Sequence, residues 1–314
     1  MQQYILRRLV QMVFVLLLFS MVVFAVLRLV PGDPVAAQLG LEASQEAYAQ
    51  LRQEMGLDKP IHVQYMVWLG EVSRGDFGTS WRSHQTAISL IQRRFPATIW
   101  LTLASIAIGL LISIPLGIVS GVRPRSVLAQ FATFFSLVGI ALPSFWLGLM
   151  LLLTLAVTLR WLPPSGYISP LLDPVMGLKF LAMPAITLGI GLAAPLTRFI
   201  RSGMLDVMNT DYIRTARAKG LVDRLVIFRH ALKNAMLAVV TIFGVLLGNL
   251  LGGSIVTESV FNWPGIGTLL LQAIQQRDYG IVQGVVLFIS LIFMVVNLLV
   301  DLTYAYLDPR IRYQ

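Results

Sequence analysis

The sequence predicts an all-α integral membrane protein with six transmembrane helices and both termini in the cytoplasm. Of its 314 residues, 57% are hydrophobic and only 12% are charged, whereas a soluble domain carries roughly 25% charged residues. The mean hydropathy is +0.77. Six uncharged stretches reach or exceed the ~18 residues that a helix needs to cross a hydrocarbon core of ~30 Å.

The six uncharged stretches are spread along the whole chain. They cover residues 9–27, 97–122, 126–159, 180–197, 234–257 and 281–300. The third has 34 residues, fewer than the ~40 that two spans and a turn would need, so we interpret it as one span near 131–158. Four prolines in these stretches are expected to mark kinks or helix ends: Pro115, Pro143, Pro184 and Pro195.

The first uncharged stretch is interpreted as a retained membrane anchor. Arg7 and Arg8 precede it, as basic residues also precede the apolar core of a signal peptide. The stretch has 19 residues and no A-x-A-like site follows it, whereas the core of a signal peptide has roughly 7–15 residues. Residues 1–30 are therefore predicted to contain the first transmembrane helix.

The distribution of basic residues predicts the orientation, because cytoplasmic loops are enriched in Lys and Arg. With the N-terminus inside, the cytoplasmic segments hold 14 of the 24 basic residues and five acidic residues, a net charge of 14 − 5 = +9. The opposite side has ten of each. The loop 31–96 contains six of those basic residues, but loops longer than about 60 residues contribute little to this rule.

Several chemistries are excluded or disfavoured by residue content. The chain has no cysteine, and its three histidines, His62, His84 and His230, lack the spacing of a zinc site. No lysine stands in the G-K-S/T context of a P-loop. We therefore expect no metal, cofactor or catalytic site in this chain, and no nucleic-acid partner.

The uncharged stretches also separate classes of transporter. They contain no Asp, Glu, Lys, Arg or His, whereas an ion-coupled secondary transporter usually places ionisable groups at membrane depth. An intramembrane enzyme would need a catalytic dyad or metal ligands at that depth. Both classes are less favoured than a channel that is driven by a separate protein.

The cytoplasmic loop 198–233 contains the most informative segment of the chain. Its residues are Asp211, Tyr212, Ile213, Arg214, Thr215, Ala216, Arg217, Ala218, Lys219 and Gly220. Asp211 is a predicted N-cap, and Gly220 suits the left-handed position after Lys219. The segment predicts a two-turn helix that is cationic at its C-terminal end, as the helix dipole prefers. A plain basic loop or a patch for anionic lipid would share this composition.

The order of residues in this loop resembles the cytoplasmic coupling segment of ABC importer permeases, specifically the dipeptide, oligopeptide and nickel permease family. The general motif of that segment is E-A-A-x-x-x-G-x9-I-x-L-P. Three residues match it: Ala216, Gly220 and Leu232. Four residues replace its Glu, Ala, Ile and Pro, as is the habit of this subfamily: Arg214, Thr215, His230 and Lys233.

Further motifs of the same family occur in order along nearly the whole chain. They include Pro31-Gly32-Asp33-Pro34, Gly75-Asp76-Phe77-Gly78, Leu142-Pro143-Ser144-Phe145-Trp146, Trp263-Pro264-Gly265-Ile266-Gly267 and Asp308-Pro309-Arg310-Ile311-Arg312. Each alone is a weak signal. The ordered set is specific.

The resemblance implies a type I ABC importer transmembrane domain in the bacterial inner membrane. It divides the chain into a first span (1–30), an extracytoplasmic loop (31–96) and a permease core (97–314) with the coupling segment 198–233. It implies four kinds of partner: a homologous second permease, two ABC ATPase subunits that bind ATP and Mg, an extracytoplasmic binding protein, and membrane lipid. Residues 211–220 would dock on an ATPase subunit. Peptides are the first expected substrate, with glutathione, nickel chelates or other small solutes as alternatives.

Two extracytoplasmic features have open interpretations. Residues 45–55 predict a helix ended by Gly56, and Pro60 suits the first turn of another. The second helix has an apolar face of Ile61, Tyr65, Trp68, Leu69 and Val72. This pair could cover the pathway, contact the binding protein or lie among lipid headgroups, and the headgroup position is preferred.

The segment after the fifth stretch is the second of these features. Pro and Gly prevent a continuous helix there, at four residues that are candidates for an outer gate: Phe261, Trp263, Pro264 and Gly265. An interfacial turn with a tryptophan anchor is an equal alternative.

Overall fold

A computed structural model describes residues 2–29, 35, 44–80 and 82–307, and these residues are mainly helical. The motifs at 31–34 and 308–312 lie outside the described residues. The chain divides into two compact units, here called unit 1 (Met1–Pro96 and Gly265–Met294) and unit 2 (Ala97–Pro264 and Val295–Gln314).

The helices are numbered in chain order. They are α1 (Gln2–Leu29), α2 (Gln45–Glu54), α3 (Ile61–Ser73), α4 (Ala87–Val122), α5 (Val127–Ala141), α6 (Ser144–Leu151), α7 (Pro174–Met208), α8 (Asp211–Ala218), α9 (Leu232–Val260), α10 (Ile266–Gln275) and α11 (Tyr279–Leu307). A π-helical segment, Leu152–Thr158, continues α6, and another, Val226–Ala231, precedes α9.

The six predicted spans correspond to four single helices and two bent pairs. The four are Leu6–Leu29, Ala87–Val122, Pro174–Met208 and Tyr279–Thr303. The bent pairs are Val127–Ala141 with Ser144–Thr158, and Asp223–Met236 with Val239–Gly248. Six spans result when each bent pair crosses the membrane as one.

The third predicted span consists of two helices, because the chain bends by 104° between α5 and α6 at Pro143, one of the prolines expected to mark kinks or helix ends. Leu142 has an extended backbone (φ −78°, ψ 124°), and Pro143 is the N-cap of α6. A residue before proline is pushed toward this conformation, and proline has no N–H for the helix ladder. Pro184 and Pro195 instead lie inside the continuous helix α7.

The predicted cytoplasmic loop 198–233 begins within a continuous helix. Helix α7 continues through Arg198 and Arg201 to Met208. Ile200 and Met204, on the same stretch, are fully buried. The charged residues end the uncharged run, but the apolar face of the helix continues past them, because residues four apart share one face.

The core of unit 2 contains a close contact between α4 and α7. Small residues recur every four positions on α4 and form the small-residue stripe: Ser105, Gly109, Ser113, Gly117 and Gly121. A Cβ at Gly109 would lie 2.7 Å from Cδ2 of Leu192, and one at Gly121 would lie 2.4 Å from Cβ of Met204. Small residues let helix backbones approach closely within membranes, so the stripe sets the distance between α4 and α7.

In unit 1, the start of α11 packs against the backbone of the loop that follows α3. A Cβ at Gly280 would lie 2.6 Å from the Thr79 carbonyl oxygen, and one at Gly284 would meet the Phe77 carbonyl oxygen. The Ser80 hydroxyl donates to Asp278 Oδ2. These contacts fix the loop 77–80 to the first turns of α11.

The two helices predicted in the loop 31–96 are present as α2 and α3. Gly56 has φ +65°, and Pro60 is the N-cap of α3. Tyr65 and Trp68 are buried against Phe24 of α1, so this part of the predicted apolar face packs on protein.

Replacing Gly117 by alanine tests the packing of α4 on α7. The added Cβ would lie 2.5 Å from Cβ of Ile200, and overpacking of this kind costs ~1–3 kcal/mol. We expect a lower midpoint of thermal unfolding in detergent. Gly191→Ala on α7 is the matched control, because a Cβ there meets no atom within 4 Å. Equal midpoints for the two variants would contradict this account.

Candidate functional site

The predicted two-turn helix of the coupling segment is present as α8, Asp211–Ala218. Gly220 follows the C-cap Lys219 with φ +76°, so its predicted left-handed conformation is confirmed. The prediction of Asp211 as N-cap is wrong. Thr210 holds that position with an extended backbone (φ −79°, ψ 154°), and its hydroxyl bonds to the Val207 carbonyl. Asp211 is the first helical residue, where a negative charge still favours the helix dipole.

Helix α8 has a buried face and an exposed face. Ile213 is fully buried and Ala216 is 8% exposed. They pack in one cluster with Ile200 and Met204 of α7 and with Val226. The other eight residues of the segment 211–220 are exposed. One face therefore attaches α8 to the core of unit 2, and the other is available to a partner.

Tyr212 joins α8 to the beginning of α9. Its hydroxyl oxygen lies 2.7 Å from Asn234 Nδ2, which donates to it, and 3.4 Å from the His230 carbonyl oxygen. Asn234 Nδ2 also donates to that carbonyl at 3.2 Å. The sequence did not reveal Asn234 as a partner, because this contact depends on the fold of the intervening turn.

The exposed face of α8 is basic. Arg214 forms an i,i+3 ion pair with Asp211 at 3.2 Å, and Arg217 contacts Asp223 at 3.3 Å. Exposed pairs of this kind contribute only ~0–1 kcal/mol, so these arginines can exchange partners at little cost. Arg214, Arg217 and Lys219 against Asp211 give this face a net charge of 3 − 1 = +2.

A π-helical segment, Val226–Ala231, lies between α8 and α9. Val226 and Ala231, its two ends, are fully buried in the cluster that holds Ile213. Short π segments within helices occur frequently at functional sites. This one belongs to the same packed body as the coupling segment.

The four candidate gate residues form the turn that follows α9. Trp263 is fully buried, its indole N–H donates to the Ala97 carbonyl at 3.0 Å, and its ring meets Tyr167 edge-on at 4.8 Å. Phe261 is 2% exposed. The alternative of a tryptophan anchor at the lipid interface is therefore wrong. Pro264 has no regular secondary structure, and Gly265 is the N-cap of α10.

Glu258 is a buried charged residue that the count of uncharged stretches missed. It lies one position past the fifth stretch, but α9 continues to Val260 and buries it fully. Thr98 Oγ1 donates to Glu258 Oε1 at 3.2 Å, and the Glu258 carbonyl accepts from the Trp263 amide at 2.8 Å. Buried carboxylates need such partners. Among the described residues, no group of three His, Cys, Asp or Glu side chains is placed to hold a metal.

Two family models match the chain. The model described as "Binding-protein-dependent transport system inner membrane component" matches residues 113–313. The chain belongs to this family. The N-terminal model of the same systems, "Binding-prot-dependent transport system membrane comp, N-term", matches residues 1–102 of this permease.

Curated relatives of this permease match it over its full length. The oligopeptide transport system permease protein AppB of Bacillus subtilis is 41% identical over 316 residues, covering 100% of both chains. The glutathione transport system permease protein GsiC of Salmonella typhimurium is 41% identical over 314 residues, again covering 100% of both. The dipeptide transport system permease protein DppB of Alkalihalophilus pseudofirmus is 39% identical over 331 residues, covering 99% of both.

The fold of this permease is that of a solved ABC importer chain. A chain in the inward-facing structure of the MetNI methionine ABC transporter aligns with a TM-score of 0.54 and 17% identity, covering 70% of this permease and 96% of that chain. Together with the family match, this confirms a multi-pass permease of an ABC importer in the bacterial inner membrane.

Proposed function

We propose that this permease conducts peptides that an extracytoplasmic binding protein delivers. It pairs with a homologous second permease, and two ABC ATPase subunits that bind ATP and Mg²⁺ drive the cycle. The full-length relatives named for oligopeptides and dipeptides support the substrate class. Glutathione is the second candidate, because a glutathione permease is as similar in identity as the oligopeptide permease.

The exposed basic face of α8 carries the proposal of ATPase coupling. The ATPase would contact Tyr212, Arg214, Lys219 and their exposed neighbours. On the opposite face, Ile213 inserts into the core with no exposed surface. A short helix that is anchored in this way transmits a push to the core, since packed interiors have low compressibility.

A displacement of α8 would also displace α7 and α9, because α8 contacts both helices. Ile213 packs against residues of α7, and Tyr212 bonds to Asn234 at the beginning of α9. Helix α7 in turn packs closely on the small-residue stripe of α4. We infer that α4, α7 and α9 move as a connected group when nucleotide binding displaces the coupling helix.

The proposed outer gate lies at the opposite end of α9 from the coupling segment. Helix α9 has 29 residues, which give ~43 Å along its bent axis at 1.5 Å per residue. The turn at Phe261, Trp263, Pro264 and Gly265 follows its last residue. The buried bond from Trp263 to the Ala97 carbonyl would hold this turn closed until α9 moves.

The remaining parts of the chain have supporting roles in this proposal. The loop 31–96, with α2 and α3, would meet the binding protein on the extracytoplasmic side. The core 97–314 would form the pathway with the second permease. Hydrolysis would occur only on the ATPase subunits.

Charge reversal on α8 tests the coupling proposal. The test uses right-side-out proteoliposomes that contain the complete assembly, with ATP enclosed and the binding protein outside. We expect Arg214→Glu with Lys219→Glu to lower ATP-driven uptake of a labelled peptide by about tenfold or more, because an acidic α8 would repel a partner surface that complements a basic one. The ATPase subunits should also be lost from a pull-down. Unlabelled peptide and glutathione as competitors identify the preferred substrate.

The double variant Arg160→Glu with Lys179→Glu is the matched control, since both residues are exposed on the other predicted side of the membrane and lie outside the loop 31–96. It should retain uptake and the ATPase subunits. Equal uptake by the α8 variant and this control would contradict the coupling proposal, and vanadate-resistant uptake would contradict ATP-driven transport.

Replacing Trp263 by phenylalanine tests the outer gate. The variant loses the indole N–H and leaves the Ala97 carbonyl without that donor, at a cost of ~1–3 kcal/mol. We expect severalfold lower uptake with increased basal ATPase activity. Trp161→Phe is the control, because Trp161 is 69% exposed. Unchanged uptake and ATPase activity in the Trp263 variant would argue against a gate.

A further inference from the structure

A cavity of about 710 Å³ lies within unit 1. The end of α1, the helices α2 and α3, the start of α11, and Asp76, Gly78, Thr79, Ser80 and His84 of the intervening loop line it. Its volume is within the roughly 300–1,000 Å³ of small-molecule sites. Its wall contains charged residues of both signs.

Three buried polar atoms in the wall have no hydrogen-bond partner among the residues that the structure describes. They are Arg28 Nε, Gln64 Oε1 and the Tyr279 hydroxyl. Arg28, Gln64 and Tyr279 all line the cavity. Buried polar groups in native proteins almost always have hydrogen-bond partners, so these atoms have bonding capacity for a polar ligand.

The protein holds Arg28 and Tyr279 in place independently of a ligand. The Arg28 guanidinium lies 5.1 Å from the centre of the Phe24 ring, which attracts it as a cation. Phe24 packs edge-on against Tyr65 at 5.4 Å. Tyr279 precedes Gly280, whose close approach to the Thr79 carbonyl fixes the first turn of α11. A site of this kind is preorganised.

The donors of this site match a carboxylate. A guanidinium offers several N–H donors and no acceptor, and a phenol offers an O–H donor. Charge-assisted bonds from such groups to a carboxylate are strong. The charged residues of the whole wall are Glu54, Glu71 and Asp76, which are acidic, and Arg28 and Lys59, which are basic. With His84 neutral, the formal net charge of the wall is 2 − 3 = −1. A zwitterion therefore fits better than an anion such as a phospholipid headgroup.

We propose that this cavity binds a zwitterionic peptide, with its C-terminal carboxylate on Arg28 and Tyr279 and its ammonium group toward Glu71 and Asp76. The proposal rests on the proposed function, since it assigns a subsite to the transported solute. The peptide would occupy the site after the binding protein releases it. Arg28 and Tyr279 would then select solutes with a free C-terminus.

Photolabelling of the complete assembly in nanodiscs, without binding protein or ATP, tests the site. The probes are a photoreactive tripeptide with a free carboxylate and the same tripeptide as its C-terminal amide. We expect the free acid to label cavity residues such as Met55 and Trp68, and the amide to need about a tenfold higher concentration, because the charge-assisted bonds are lost. Arg28→Gln and Tyr279→Phe should bring this ratio close to one.

Tyr279→Phe removes a single oxygen and keeps the ring, so it is the variant least able to disturb folding. Tyr212→Phe is the matched control. It removes a phenol from the coupling segment, so it should lower uptake and leave the labelling ratio unchanged.

Three outcomes would overturn the site. In the first, the free acid and the amide label the cavity of the unchanged protein equally. In the second, the photolabel is found on residues outside the cavity. In the third, phosphatidylglycerol displaces the photoreactive tripeptide from the cavity but unlabelled tripeptide does not. If any of these occurs while ATP-driven peptide uptake persists, the subsite fails and the proposed function stands. If no peptide is taken up by an assembly that hydrolyses ATP, the proposed function fails and the peptide assignment of this site fails with it.

Discussion

The close packing of α4 on α7 is the constraint on which the proposed coupling end of this permease depends. The small-residue stripe removes side chains from the contact, so Ile200 and Met204 can lie directly against the α4 backbone. The same two residues belong to the cluster that holds Ile213. A larger residue at Gly117 would therefore displace both the helix pair and the base on which α8 rests.

The coupling segment and the candidate gate differ in their mechanical character. Helix α8 is a rigid element with one buried anchor face, and it meets α9 through the exposed bond between Tyr212 and Asn234. The gate turn at Trp263 is fully buried and bonded to a backbone carbonyl. The chain between α8 and the gate turn is not one straight helix, because it contains the π-helical segment Val226–Ala231 and the 54° bend of α9. Motion at one end would thus reach the other through α9 together with its packed neighbours.

The features that the sequence predicted depend on local signals. Runs of uncharged residues located the spans, and Gly220 marked the end of α8 because the left-handed backbone there (φ +76°) favours glycine. The features that it missed depend on residues distant in the chain. Glu258 is buried beside Thr98, 160 positions away, which donates to it. Helix α7 continues past Arg198, and its apolar face still packs there. The presence of a proline in the sequence does not show whether a helix is interrupted there. Pro143 precedes a new helix, whereas Pro184 and Pro195 lie inside α7.

A photo-crosslinking residue at Ala218, the exposed last residue of α8, tests the central claim most directly. In membranes that contain the complete transport system, the account predicts a crosslink to an ABC ATPase subunit, with a yield that changes when ATP and vanadate are added. The same probe at Met66, 65% exposed on α3, should capture no ATPase. Failure to capture an ATPase at Ala218 in a transporting assembly, or equal capture at both positions, would contradict the account.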